Sequence, residues 1–154
     1  MTDMRTFLAM ITACLAVAAC SLPTIDKQAD AEARTLYEQI RTGADLSANP
    51  NLAPDLRRPA TLAQLAAVRA SLPPGAPTAT ANRRWSINAG TGGTTATLVH
   101  AYSYPSQTVL AETVLRKDKA GAWLIIGFHV TFEGPSGAPE AGGAVTVTKP
   151  PVAT

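Results

Sequence analysis

The apolar positions along the chain fall into distinct regimes. From Phe7 to Ala19 they run almost unbroken, relieved only by Thr12 and Cys14. From Ala29 to Ile40 they recur at helical spacing, as Ala29, Ala33, Leu36, Tyr37 and Ile40, while Lys27, Asp30, Glu32, Arg34, Glu38 and Arg41 fall mostly elsewhere. This spacing predicts a helix capped by the Asp26 carboxylate and ended by Gly43. Ala44 to Pro59 has no period and is broken by Asn49-Pro50-Asn51, so Leu46, Leu52 and Leu56 read as pins holding a loop, or one turn at Asp55–Arg58, on the core. A second helix is predicted from a capping box of Thr61 and Gln64. Its apolar stripe is Leu62, Leu65, Val68 or Arg69, and Leu72, and Pro73-Pro74-Gly75 stops it.

Beyond a Pro/Ala/Thr linker the period falls to two. Strands are predicted at Arg83–Ala89, Thr94–Tyr104, Gln107–Lys117 and Ala122–Phe132, with turns at Gly90–Gly93, Pro105-Ser106 and Asp118–Gly121. A tight turn at Pro105-Ser106 sets Tyr102 against Val109, His100 against Ala111 and Leu98 against Thr113. A four-residue turn at Asp118 sets Leu115 against Leu124, Ala111 against Phe128 and Val109 against Val130. One face then carries Leu98, His100, Tyr102, Val109, Ala111, Leu115, Leu124, Ile126, Phe128 and Val130, and is the expected core face. The other carries Val99, Ser103, Leu110, Glu112, Val114, Trp123, Ile125 and His129. That is more apolar than solvent requires, which points to a partner or a second copy covering it, with Trp123 and Ile125 at the contact. The fold class is α+β: two or three N-terminal helices packed on a four-stranded antiparallel meander. Glu133 to Thr154 is Gly, Pro, Ala and Thr, and reads as a disordered tail in which Val145-Thr146-Val147 adds an edge strand only in a complex.

The first apolar run follows Arg5 and ends in small residues, the layout of an export signal, and is too short to span a bilayer, which takes about 20 apolar residues. Its end, Val17-Ala18-Ala19-Cys20, resembles the lipobox of bacterial lipoproteins position by position. The resemblance implies a signal peptide over residues 1–19, cleavage between Ala19 and Cys20, and a diacylglycerol on the Cys20 sulfur with a further acyl chain, such as palmitate, on the new amino group. More than one chain makes a stable membrane anchor where a single one is marginal. The other reading is an ordinary secretory signal with a cysteine near the cut. Asp3 is out of place in a basic leader, so translation from Met4 is the alternative start to Met1. Ser21, rather than an aspartate, follows the cysteine, which implies an outer-membrane lipoprotein facing the periplasm. The expected organisation is a tether over 20–28, a domain over 29–132 and a tail over 133–154.

Composition narrows the chemistry. A net charge of +2 with scattered basic residues excludes nucleic-acid binding. Of the two cysteines, Cys14 leaves with the signal and Cys20 takes the lipid, which leaves none for a disulfide or a zinc site, and the two histidines are assigned to opposite sheet faces. No cofactor or metal is expected. Gly90-Thr91-Gly92-Gly93 lacks the Lys and the following helix of a phosphate loop, and Ser103 and Ser106 lack a nucleophile elbow. His100 among aromatics reads as a hydrogen-bonded structural histidine, or else as a pocket acid or base. Glu112 and His129, as diagonal neighbours, read as a cross-strand ion pair, or else as a general-base pair.

Two helices before a long meander resemble the small cone-shaped α+β domains of the nuclear-transport-factor-like and cystatin-like kind. Asp118, Gly121, Trp123 and Gly127 also resemble the ending of short bacterial domains of unknown function, where they imply a turn, a packed indole and a close backbone approach. Domains of this shape hold a ligand, carry a catalytic carboxylate and histidine, or serve as interaction modules. The expected role is a non-catalytic binding or scaffolding module that meets an envelope protein, a small ligand or its own copy. The alternative is a small enzyme or ligand pocket using Glu112, His129 or His100.

Overall fold

The computed structural model describes residues 25–134 and 144–147, so the signal, the cleavage site and Cys20 lie outside the described residues. Helix α1 spans Lys27–Thr42. Asp26 caps it by accepting from the Gln28 and Ala29 N–H groups, and Gly43 ends it at φ 74 with its own N–H bonded back into the last turn. Folded structure therefore begins inside the stretch assigned to the tether. Ala29, Ala33, Leu36, Tyr37 and Ile40 are the buried stripe, as the spacing predicted.

A short 3-10 turn at Pro54–Arg57 buries Leu56, and helix α2 spans Pro59–Ser71. The predicted capping box is not formed: α2 starts three residues earlier, with Arg58 rather than Thr61 as its N-cap and no side-chain cap. Pro59 supplies the start, because its fixed φ suits the first helical position and its missing N–H costs nothing there. Thr61 is buried instead and donates to the Asp55 carbonyl at 3.2 Å.

The sheet is a five-stranded antiparallel meander in chain order: β1 Ala79–Gly90, β2 Gly93–Ser103, β3 Thr108–Lys117, β4 Trp123–Glu133 and β5 Ala144–Val147. The β2–β3 register is the one the tight turn predicted, with His100 opposite Ala111. The β3–β4 register is not. Residues 118–122 close the turn, with Gly121 at φ 84, so Lys117 faces Trp123 and Leu115 faces Ile125 rather than Leu124. A one-residue slip turns every side chain to the other face. Trp123 and Ile125 therefore enter the core, 1% and 0% exposed, and Leu124 and Ile126 leave it. A bulge then inserts Ile126 between the pairs Leu115–Ile125 and Val114–Gly127, which turns the rest of the strand over again. Phe128 and Val130 are buried as a result, opposite Thr113 and Ala111. The proposed contact through Trp123 and Ile125 is ruled out by this geometry. A Cβ at Gly127 would meet Val114 at 3.5 Å, an ordinary contact, so close backbone approach does not account for that glycine.

The outer edge of β4 is covered by the chain itself. Its first half pairs with the loop before the 3-10 turn, where Ile125 donates to the Asn51 carbonyl and accepts from Ala53. Its second half pairs with β5, which corrects the tail expectation for 144–147. The remaining tail residues lie outside the described residues. Side chains of α1 hold the same loop, through Glu32 to Asn51 and Gln39 to Asn49.

Gly43→Ala is expected to lower stability by about 1–2 kcal/mol, because an L side chain is strained at this φ. A Cβ there would also run into the Arg69 guanidinium, but that exposed side chain can swing away. The loss, read by urea denaturation, should persist in a Gly43→Ala/Arg69→Ala double variant.

Candidate functional site

The densest polar chemistry lies between α1 and β2. His100 is 1% exposed, and its Nε2 stands 2.7 Å from Asp30 Oδ1. An ionised carboxylate only accepts, so the imidazole donates from Nε2. The other Asp30 oxygen accepts from Arg34 Nε at 2.8 Å, one turn along the helix. Burial pulls His100 below its ordinary value of 6.5, against the hydrogen bond and charge of Asp30. For Asp30 burial acts upward, but the hydrogen bonds of His100 and Arg34 and the charge of Arg34 outweigh it and leave the carboxyl low.

Two turns further along α1, Tyr37 stacks on Tyr102 with ring centroids 3.5 Å apart. Its hydroxyl shares a 2.9 Å hydrogen bond with that of Tyr104. Burial raises the Tyr37 and Tyr102 phenols above their ordinary value, so both stay protonated. The Tyr102 hydroxyl is buried with no hydrogen-bond partner. This row was only partly legible in the sequence. His100 and the tyrosines stand out, but Asp30 reads as one more charge beside the apolar stripe, and only the placement of α1 over β2 brings it to the histidine.

Glu112 and His129 lie on the opposite face of the sheet, directly across from each other rather than diagonal. They share a row with Arg84 and Val99. Glu112 faces Arg84 Nη2 at 3.5 Å, and His129 Nε2 lies 3.1 Å from Thr131 Oγ1. The sheet separates this pair from His100, so the three residues singled out in the sequence do not converge. Trp123, also singled out, is a core residue beneath Lys117, whose Nζ lies 5.0 Å from the ring centre. Its Nε1–H is buried without a partner in hydrogen-bond geometry, yet it is close to Asp26. Burial acts upward on Asp26, and the Ala29 N–H, the Trp123 indole, the Gln28 N–H and the Lys117 charge together hold it low.

A cleft of about 220 Å³ opens between α1 and α2, lined by Ile40, Leu46, Leu62 and Leu65 with Gln39 and Arg69 at its rim. Ligand pockets usually hold about 300–1,000 Å³, and this one gathers neither histidine. Among the described residues no three His, Cys, Asp or Glu side chains group as metal ligands. No protein-family model, curated protein or solved structure matches the chain.

Two predictions separate a structural row from a reactive one. Tyr102→Phe should leave the thermal midpoint unchanged or raised, because the hydroxyl it removes is unsatisfied, whereas Tyr104→Phe strands the buried Tyr37 hydroxyl and should cost about 1–3 kcal/mol. For the histidine the sign follows from its lowered pKa: the unfolded chain binds the proton more readily. His100 therefore contributes stability fully above pH 6.5, lost as pH falls through its lower folded value. Asp30 acts in the same sense below its ordinary 3.8. Denaturant midpoints should fall with acidification below 6.5, and His100→Gln, which keeps a donor near the Nε2 position without titrating, should flatten that part of the curve.

Proposed function

We propose that the chain is a lipid-anchored protein of the bacterial cell envelope, held through acyl chains on Cys20 at the outer membrane and facing the periplasm. Its domain is a non-catalytic binding or scaffolding module of the cone-like, cystatin-like kind, a reading supported by a long helix lying along one face of an antiparallel meander. The anchor rests on Val17-Ala18-Ala19-Cys20 at the end of the leading apolar run.

The observation that carries the binding role is the difference between the two sheet edges. The chain covers β4 along its length, whereas β1 is a 12-residue edge strand exposed at every position except the half-buried Trp85, and no described segment pairs with its outer side. Such an edge accepts an added strand from a partner. It is not indiscriminate. A bulge between Asn82 and Arg84 bends it, and Arg83 and Arg84 mark it with charge, features that discourage pairing with any passing strand. Both arginines are exposed, and their present contacts with the half-buried Glu133 and Glu112, at 3.7 and 3.5 Å, are long, so an extended acidic segment of an envelope protein fits this edge. The catalytic alternative has less support, since His100 is sealed against Asp30 and Glu112 and His129 lie on the other face.

Intact mass of the membrane-extracted protein should match a chain beginning at acylated Cys20, and Cys20→Ala should release it in unlipidated form. With the anchor intact, a photoreactive residue at Ser86 on β1 should give a discrete protein adduct in cells, and one at Gln64 on α2 should not. Equal adducts from both positions, or a turnover abolished by Glu112→Gln or His129→Ala, would contradict the binding role.

A further inference from the structure

One end of the domain, where β1 finishes, combines features that strand addition at Arg83 and Arg84 does not need. The register places the β1–β2 tip, at the pair Gly90–Gly93, and the β3–β4 turn, after Lys117, at the same end of the sheet. The start of α1 is there too, because Asp26 lies 3.8 Å from Lys117 Nζ and lines a groove with Ile25 and Ile87. Ile87 is 40% exposed and is the one large hydrophobic exposed among the described residues.

Charge is sorted toward the same end. All three lysines of the described residues, Lys27, Lys117 and Lys119, lie there, joined by the exposed Arg116. The two carboxylates present are engaged locally: Asp26 caps α1, and Asp118 accepts from the Ala120 and Ala122 N–H groups. The surface is therefore net positive, with an apolar side chain at its centre. Only Ser21 to Thr24 separate Cys20 from Ile25, five steps that reach at most ~18 Å. An anchor on Cys20 therefore keeps Ile25, at this end of the domain, within ~18 Å of the acylated residue.

We propose that this end of the domain rests on the headgroup layer of the bilayer that holds Cys20, with Ile87 entering the interface and Lys27, Lys117 and Lys119 meeting anionic lipid phosphates. The proposal depends on the lipoprotein reading of Val17-Ala18-Ala19-Cys20. It fixes the orientation of the domain: α1 and the strands run away from the membrane, and the Pro105-Ser106 turn is the distal tip. A Lys ammonium beside an apolar group suits such an interface, since the stem packs with the acyl boundary while the charge reaches the phosphates.

The test uses the mature lipidated chain in vesicles of phosphatidylethanolamine and phosphatidylglycerol. A single cysteine at Ile87→Cys or Ser106→Cys carries a fluorophore, with lipids spin-labelled near the headgroup as quenchers. The label at 87 should be quenched several-fold more than the label at 106. Lys27→Gln with Lys119→Gln, both exposed, should reduce that contrast on anionic vesicles. Equal quenching at the two positions, or stronger quenching at 106, in protein whose mass shows acylated Cys20 would overturn the orientation alone. A mass without acyl chains in the same sample would remove the anchor, and the inference with it.

Discussion

Two polar attachments fix α1 on the sheet, and the rest of the interior is arranged around them. Asp30 is bound to His100, and Tyr37 is bound to Tyr104 while stacking on Tyr102. Seven helical residues advance about 10 Å and four strand residues about 13 Å, so the two attachments agree only if helix and strand run side by side in the same direction. Apolar packing against Leu98, Val109 and Ile125 would tolerate some sliding of the helix. Directional bonds to buried partners do not, since a shifted helix would leave an imidazole or a phenol unsatisfied inside the core.

The second constraint is the bulge at Ile126. Trp123 and Ile125 on one side of it, and Phe128 and Val130 on the other, cannot all face inward along a regular strand. With the bulge they do, and both halves of β4 contribute to one core. The outer edge of β4 is divided at the same place, the first half going to the loop at Asn51–Ala53 and the second to β5. The sheet is thereby closed on one side and left open along β1.

The local features were legible in the sequence where one residue type has one use. Asp26 and Gly43 bracket α1, the Tyr37 stripe is buried, and the Pro105-Ser106 turn sets the β2–β3 register. What stayed hidden depends on counting across a gap. A turn of five residues rather than four, followed by an inserted residue, reverses faces twice, so plain alternation puts Phe128 and Val130 on the core face, where they lie, and puts Trp123 and Ile125 outside, where they do not. Pro59 took over the helix start that Thr61 and Gln64 advertised. The Asp30–His100 pair joins residues 70 apart in sequence, and no period or motif connects them.

The chemistry of the domain thus divides by location. The interior holds His100 and three tyrosines in fixed contacts, with the half-buried Asp30 at its margin, while the β1 edge is exposed. The claim that the interior row is structural is tested most directly by the imidazole nitrogen resonances of His100 followed through a pH titration. The account predicts a neutral ring protonated at Nε2, still neutral at pH values where an exposed histidine is half charged, until the domain unfolds. A ring that titrates near 6.5 in the folded protein would contradict it, showing solvent access at this residue and reopening the case for a reactive pocket.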